Sequence, residues 1–445
     1  MSAKMTAVFS RDLHHQYPVA VSGSGMHLYD QHDREYLDMC GGAAVSCLGH
    51  QHPAVVSALQ EQIGKMAYAH TAFFSNEPQE QLAAQLVQAF GDEGARAYFA
   101  CGGSEANETA MKFAWQYWRA QNQPTKVKII SRTHSYHGNT FGALSVSGHP
   151  ARRSVMGDIL NDWPRIDPCY AYRYQLAGET EEEYGARAAR QLEQTIEREG
   201  AETIAAFIVE PVAGASLGVV CAVKGYFKEI RAICDRHDIL LIADEVMCGT
   251  GRTGTFFAFE QESFRPDIVT LAKGLGGGYQ PLAATIINSK ISDFFTNNAS
   301  GFAHGHTYAG HAAACAAGVA VMQTIDHQNL LAAVRAKGAQ FGSLIQATLS
   351  DHPNVGDVRG RGLFWAIEFV QDKETKKAPV NGAVIAKQLK DTAMRHGLMC
   401  YPGGGDPSQG LNCHILLAPP YIIEQHHMDQ AMIKLTATVA EVFGA

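Results

Sequence analysis

The sequence lacks several features that would place it in common classes of protein. None of its 10 cysteines belongs to a CxxC pair, which argues against a zinc ribbon or a redox dithiol. No apolar run reaches 18 residues, the length typical of a transmembrane helix. Basic residues are not in excess, since 36 Lys and Arg stand against 44 Asp and Glu. The net charge of −8 therefore gives no indication of a nucleic-acid or anionic-membrane partner.

The first residues, MSAKMTAVFSRDLHHQYP, also lack the apolar core of a signal peptide. Several cysteines fall inside apolar patterns, where a reduced thiol behaves as a small hydrophobe. These features predict a cytoplasmic globular protein. With 445 residues, of which 46% are hydrophobic, the chain can form a large core and roughly two to three domains.

Short apolar runs alternate with helical patterns along the chain. The candidate strands are 95–100, 127–131, 204–210, 238–244, 267–272 and 282–289. The candidate helices are 77–90, 104–121, 225–237 and 311–325. This alternation is typical of an α/β fold whose mostly parallel sheet is covered by helices. It predicts a large domain at 61–325 and a smaller α/β domain formed by segments 1–60 and 326–445. The Glu- and Arg-rich segment 165–200 indicates a solvated insertion with a surface helix.

Ligands bind at the carboxyl ends of the strands in such sheets, so the residues after each strand are informative. After 95–100 comes CGGSEANETAMK, in which Gly102 and Gly103 allow a tight turn and Ser104 can cap a helix. Backbone N–H groups at a helix start and a serine hydroxyl suit a phosphate. The same letters also fit an ordinary strand, turn and capped helix.

After the strand at 127–131 comes RTHSYHGNT. Tyr136 could stack on a planar ligand beside His137 and Gly138. Alternatively, these residues are a surface aromatic and a hydrogen-bonded core histidine. His134 and His137 are three residues apart, but no third ligand follows at a usable spacing, so no metal site is predicted.

Two further strands end in a carboxylate. Glu210 precedes a proline, and Asp244 ends the apolar run DILLIAD. A buried carboxylate needs a hydrogen-bonding or cationic partner, or else it has a functional role. One such role for an aspartate is to keep a pyridinium nitrogen protonated. The nearby GTGRTG lacks the lysine and hydroxyl of a P-loop and opens no helix, so a nucleotide is not predicted.

The run IVTLAKGLGGGYQP places Lys273 at the end of a core strand, before four glycines that would let a cofactor and the backbone approach closely. A desolvated lysine is a nucleophilic amine suited to Schiff-base chemistry. In HGHTYAGH, Thr307 offers a hydroxyl to a phosphate. One ligand uses a phosphate cradle, a stacking ring, a buried aspartate and a lysine together, and that ligand is pyridoxal 5′-phosphate (PLP).

These motifs resemble those of the class III, or omega-, aminotransferases, which are PLP enzymes of fold type I. The resemblance covers nearly the whole length of the chain. It is carried by the segments YLDMCGGAAVSCLGHQHP, CGGSEAN, YHG, VEPVAG, LIADEV, GTGRTG, LAKGLGGGYQPL, HTYAGH, RGRGLFWAIEF and LLAPPYII. It implies a transaminase that moves an amino group from an amine or omega-amino acid to an oxo acid such as pyruvate in a ping-pong cycle.

The resemblance also implies a homodimer, or a tetramer of two dimers, with active sites at the interface. The implied cofactor contacts are Gly103 and Ser104 with the phosphate, Thr307 with the phosphate of the neighbouring subunit, Tyr136 and Val246 with the two ring faces, His137, Gly138 and Glu210 beside the ring, Asp244 with the pyridine nitrogen, and Lys273 in the Schiff base.

The sequence departs from the family at the position of an expected carboxylate anchor. Many relatives have an arginine near the APP motif, but residues 402–420 contain none. Gln409 or Asn412 could hydrogen bond a carboxylate, without the paired charge of a guanidinium. Ala43 and Ala44 stand where amine:pyruvate relatives often have an aromatic residue, which suggests a roomier pocket. A PLP-dependent isomerase (aminomutase or racemase) or decarboxylase and, more remotely, a metal-dependent hydrolase are the alternatives.

Overall fold

The computed structural model describes residues 7–298, 301–404 and 413–444. The strands β1 to β17 of this part are, in chain order, Ala20–Ser24, His27–Asp30, Glu35–Asp38, Arg96–Ala100, Lys128–Arg132, Arg165–Ile166, Ile204–Val209, Val212–Ala213, Val220–Cys221, Leu240–Asp244, Ile268–Leu271, Ala283–Ile287, Val355–Arg361, Phe364–Phe369, Leu398–Met399, Tyr401–Gly403 and Cys413–Leu417. The helices α1 to α14 are Gly41–Ala44, Pro53–Lys65, Glu77–Phe90, Gly103–Ala120, Phe141–Val146, Pro150–Arg153, Ala171–Tyr174, Glu181–Glu199, Tyr226–Arg236, Ser289–Asn297, Ala312–His327, Leu330–Leu349, Gly382–Arg395 and Gln425–Phe443. None of these described helices is long and apolar enough to cross a lipid bilayer.

A seven-stranded sheet forms the centre of the molecule, in the order β4-β12-β11-β10-β7-β5-β6. Only β12 runs against its neighbours, β11 and β4, while the other pairs are parallel. All six residues of β7 are buried, as expected for a strand covered on both faces. The predicted α/β fold with a mostly parallel sheet is confirmed.

Helices cover both faces of this sheet. On one face, α4 packs Met111 and Trp118 against Ile208 of β7. On the other face, side chains of α3, α8 and α9 pack around Phe207. Neighbouring side chains of one strand thus enter two separate cores, which explains the uninterrupted apolar runs in the sequence.

The N-terminal and C-terminal segments of the chain pack together outside the large sheet. β3 pairs in parallel with β15, so that Leu37 lies beside Leu398. Next to them, β13, β14, β17 and β16 form an antiparallel sheet. A common core includes Phe341, Phe369 and Leu435. The domain boundaries at 60 and 325 stay predictions.

The segment 165–200 is more than a solvated insertion, and that prediction is wrong in this respect. Its helix α8 buries Tyr184, Ala188, Leu192 and Ile196 in the main core. These residues recur every four positions and therefore lie on one face of the helix. The many Glu and Arg residues of the segment obscured this apolar stripe in the sequence.

Candidate active site

The carboxyl ends of five strands, β4, β5, β7, β10 and β11, meet at one edge of the large sheet. A cavity of about 510 Å³ lies there, and strand β16 with the start of β17 forms part of its wall. Its volume is within the range of small-molecule sites. The cavity is lined by every predicted site residue except one, namely by Gly103, Ser104, Tyr136, His137, Gly138, Glu210, Asp244, Val246 and Lys273.

Asp244 is held in a fixed position at the base of this cavity. Only 3% of the residue is exposed. Its Oδ2 accepts hydrogen bonds from Nδ1 of His137 and from the amide of Asn107, both at 2.8 Å. Its Oδ1 accepts the backbone N–H of Val246 at 3.0 Å. The carboxylate thus presents a fixed negative charge, which suits a protonated ring nitrogen.

Asn107 is a contact that the sequence reasoning did not single out. Its amide group also donates to the carbonyl of His137 at 2.6 Å, and its Oδ1 accepts the hydroxyl of Thr270 at 2.8 Å. These partners use both amide hydrogens and fix the orientation of the side chain. Asn107 is part of the motif CGGSEAN, but its contact with Asp244 follows from the packing of α4 against the sheet and not from the motif.

Lys273 lies two residues after the end of β11 and is partly accessible from the cavity. Desolvation lowers its pKa, and the nearby charges of Asp244 and Glu210 oppose that effect. No described residue hydrogen bonds to its Nζ or forms an ion pair with it. Its backbone has φ +48°, a left-handed conformation that costs about 1–2 kcal/mol outside glycine. Such strain is often found at functional positions.

The glycines after Lys273 have a different purpose from the predicted one. Gly274, Gly276, Gly277 and Gly278 do not line the cavity. Gly277 and Gly278 have φ of +59° and +86°, which other residues rarely adopt. A Cβ at Gly274 would lie 3.2 Å from Thr250. These glycines allow the turn and its close packing rather than the approach of a cofactor.

Helix α4 points its first turn at the cavity. The helix begins at Gly103, one residue earlier than predicted, and Gly102 is its N-cap. Ser104 therefore does not cap the helix, because it already lies within the first turn. Its Oγ instead accepts the backbone N–H of Asn139 at 3.0 Å. The N–H groups of the first turn have no acceptor within the helix, and a phosphate could accept hydrogen bonds from them.

The backbone around this turn is packed too closely for a side chain at Gly103 or Gly138. A Cβ at Gly103 would lie 2.7 Å from Cγ1 of Val246, and a Cβ at Gly138 would lie 2.6 Å from Oγ of Ser104. Both approaches are closer than real Cβ contacts. The cradle, the anionic Asp244 and the amine of Lys273 together fit PLP.

Glu210 is 5% exposed and binds two backbone groups. Its Oε1 accepts the N–H of Tyr136 at 3.2 Å, and its Oε2 accepts the N–H of Gly214 at 2.9 Å. Burial raises the pKa of Glu210, and the charge on Asp244 adds to this effect. The carboxylate fixes the loop that carries Tyr136.

Thr307 does not line the cavity of its own chain. The residue is exposed, and its carbonyl accepts the hydroxyl of Tyr68 at 2.8 Å. This placement leaves Thr307 available to another copy of the chain, so its contact with a neighbouring phosphate stays a prediction. The same holds for the individual cofactor contacts expected of the other site residues.

Other residues of the cavity wall were missed in the sequence. Arg152 belongs to α6, and His149 immediately precedes this helix. Tyr401 belongs to β16 and His414 to β17. Nothing in HPARRSV distinguishes Arg152 from its neighbour Arg153, whereas a histidine in the strand CHILL is a signal that could have been noticed. Ala43 also lines the cavity. The predicted anchors Gln409 and Asn412 lie outside the described residues.

One potential metal cluster occurs among the described residues, and it is formed by Glu424, His426 and His427. Its ligand atoms lie within 4.8 Å of one another. None of the three lines the cavity. His134 and His137 are not part of it.

Comparisons with known proteins assign the family. The family model "Aminotransferase class-III" matches residues 8–439. The chain belongs to the class III aminotransferases. An uncharacterized aminotransferase of Schizosaccharomyces pombe is 40% identical over 445 residues, which cover 100% of this chain and 97% of that protein. Gamma aminobutyrate transaminase 3 of Solanum lycopersicum is 36% identical over 94% of this chain and 79% of its own length.

A solved structure supports the same assignment. The PMP-bound aminotransferase of Vibrio fluvialis matches with a TM-score of 0.90 and 33% identity, covering 96% of this chain and 93% of the other. The predicted family, fold and enzyme class of this class III aminotransferase are therefore confirmed. The prediction of PLP is confirmed for the family, whose members use this cofactor.

Proposed function

We propose that this class III aminotransferase holds PLP in the cavity and moves an amino group from an amine or omega-amino acid to an oxo acid such as pyruvate. The two half-reactions would follow one another in a ping-pong cycle. The observation that carries the proposal is that Lys273 and Asp244 line the same cavity, one as an amine that no described residue hydrogen bonds and the other as a fixed carboxylate. When bound, PLP supplies an electron sink and a carrier for the amino group.

The residues at the helix start and around the ring would bind this cofactor. Gly103 and Ser104 would hold its phosphate at the N-terminus of α4. Tyr136 and Val246 would contact the two faces of the ring. The roles of His137, Gly138 and Glu210 are to shape the wall next to it and, through the contacts described above, to hold Asp244 and Tyr136 in place.

Asp244 would keep the ring nitrogen protonated. Its negative charge favours a positive charge on that nitrogen, and a protonated ring withdraws electrons more strongly. His137 and Asn107 restrain the carboxylate from rotating away, because both bind its Oδ2. This arrangement does not have to form during the reaction, which is the advantage of a preorganised charge.

Lys273 would bind the cofactor and then move a proton. Because desolvation lowers its pKa, a larger fraction of its amine is neutral and able to accept a proton. Nζ would take the proton from the amino-bearing carbon of the donor and return it two atoms away, on the cofactor side of the amino nitrogen, which is the 1,3-proton shift that transamination requires. The absence of a hydrogen-bonding partner among the described residues leaves Nζ free to turn between these positions.

A second copy of the chain would complete the site. The exposed position of Thr307 supports its predicted contact with the phosphate bound by another subunit. We infer a homodimer with shared active sites on this basis. The names of the tomato transaminase and of other relatives support omega-amino acids as donors.

The test is an absorbance spectrum of the purified protein, recorded before and after addition of single amines without an acceptor. We expect a band at about 415 nm that shifts to about 330 nm with a productive donor and returns on addition of pyruvate. A bound cofactor whose band no amine changes would favour the isomerase or decarboxylase alternative. Absence of the band after PLP is supplied would refute the proposal.

A further inference from the structure

An oxo-acid acceptor carries a carboxylate, which a cavity must bind in competition with water. A cationic side chain is the usual partner, and a guanidinium binds a carboxylate through two parallel hydrogen bonds. Among the described residues, the basic ones that line the cavity are His137, His149, Arg152, Lys273 and His414. The question is which of them keeps a positive charge available for the acceptor.

Most of these residues are already used or are held neutral. His137 hydrogen bonds to Asp244. Burial lowers the pKa of His149, and burial with the charge of Arg359 lowers the pKa of His414 to about 4. Lys273 is assigned to the cofactor. None of these four side chains is therefore a free cation that could bind the carboxylate of a substrate.

Arg152 remains, and no residue in the described part of the chain competes for its guanidinium. The side chain is exposed and makes no hydrogen bond or ion pair with any described residue. Its Cζ lies 4.6 Å from the centre of the Tyr136 ring. The neighbouring Arg153 contrasts with it, because its Nη1 donates to the carbonyls of Leu144 and Ser145. Arg153 therefore stabilises the fold. Arg152 instead lines the cavity, and its guanidinium forms no hydrogen bond with a described residue.

The contact with Tyr136 also places this charge near the reaction. Tyr136 is the residue proposed to cover the cofactor ring, so a guanidinium beside it lies at the edge of the substrate space. The segment 405–412 lies outside the described residues, and its sequence, GDPSQGLN, contains no basic residue. It therefore cannot supply the missing cation to the wall formed by β16 and β17.

We propose that Arg152 binds the carboxylate of the substrate, both in the oxo-acid acceptor and in omega-amino-acid donors. This inference rests on the proposed function, since it assigns a specificity role within the same site. It replaces the arginine that residues 402–420 lack. Simple amines without a carboxylate would not use Arg152, so the residue discriminates between substrate classes.

The experiment compares charged and neutral substrates of nearly the same size. Arg152→Met removes the charge, Arg152→Lys retains it without the planar fork, and Arg190→Met removes an exposed arginine on α8 that does not line the cavity. Each variant is reacted with pyruvate and with methyl pyruvate in the acceptor half-reaction. Donors are compared in the same way, with 4-aminobutyrate against butylamine.

We expect Arg152→Met to lower kcat/KM for pyruvate by about 10- to 100-fold, the effect of losing a hydrogen-bonded charge pair. For methyl pyruvate the loss should be about threefold or less, because no charge has to be bound. Arg152→Lys should recover part of the pyruvate rate. Arg190→Met should match the wild type with both acceptors.

A binding measurement separates recognition from chemistry. The inhibition constant of propionate against pyruvate should rise in Arg152→Met by a factor similar to that in kcat/KM, and that of propionamide should not. Equal losses for pyruvate and methyl pyruvate would overturn the inference, since Arg152 would then act through Tyr136. An unchanged pyruvate rate would also overturn it. If the wild type itself converts no amine, the proposed function fails before Arg152 is tested.

Discussion

Nδ1 of His137 lies 2.8 Å from Oδ2 of Asp244, and both residues are at least 97% buried. A hydrogen bond to a charged group contributes about 1.5–3 kcal/mol, and its loss would leave Oδ2 of the buried Asp244 with the amide of Asn107 as its remaining described donor. His137 belongs to the loop after β5 and Asp244 to the end of β10. The pair therefore connects the loop after β5 with the end of β10, two strands that β7 separates in the sheet.

The charge on Asp244 can be tested by replacing it with the isosteric amide. We expect Asp244→Asn to bind PLP but to lower the rate of the amine half-reaction by about 100-fold or more, because an amide cannot keep the ring nitrogen protonated. The rate of bleaching of the cofactor band measures this effect. Asp326→Asn, an exposed position outside the cavity, is the control. An unchanged half-reaction rate would remove Asp244 from this role.

Lys273→Ala should abolish turnover and leave the fold intact. The substitution removes the only side chain proposed to bind the cofactor covalently and to move the proton. Reduction with borohydride followed by peptide mass analysis should attach the cofactor to Lys273 in the wild type and nowhere in the variant. Thermal unfolding provides the check on the fold. A variant with the wild-type rate would contradict the site assignment.

The cradle at the start of α4 can be narrowed by a single methyl group. Gly103→Ala would place Cβ about 2.7 Å from Cγ1 of Val246, so we expect weaker PLP binding, by about tenfold. Val246→Ala in the same chain should restore part of the affinity by making room. Gly64→Ala, where a Cβ meets nothing within 4 Å, serves as a control. The dissociation constant of PLP is the measurement, and equal values for all variants would refute the steric argument.

The pKa of Lys273 predicts how the apoenzyme responds to pH. Because burial lowers that pKa, the unfolded chain binds more protons than the folded one between the lowered value and the ordinary value of about 10.4. Stability from this group therefore rises with pH across that window. Lys273→Met removes the titration, so its stability advantage over the wild-type apoenzyme should be largest at neutral pH and shrink toward pH 10.

Urea unfolding of both apoenzymes at neutral pH and near pH 10 measures this difference. The other titrating groups are common to the two proteins and cancel in the comparison. An advantage that stays constant or grows with pH would show that the amine of Lys273 is not destabilised by burial.

The approximate positions of the main strands and the polar residues that follow them could be predicted from the sequence. The strands β7 and β10 are apolar up to their ends, and the residue that ends such a run is placed at the sheet edge by the strand itself. Asp244 and Lys273 could therefore be predicted without coordinates to lie at the sheet edge, where they line the cavity. The apolar stripe of α8 was also present in the sequence, although its many charged neighbours obscured it.

The amino-acid sequence specifies the local features of this protein, namely which segments form strands and which chemical groups follow them. The packing of separate elements specifies which of these groups come into contact. Asn107 reaches Asp244 because α4 crosses the sheet, and Arg152 reaches Tyr136 because α6 folds back toward the cavity. Such contacts depend on how separate elements pack, and spacing along the chain carries no information about that packing.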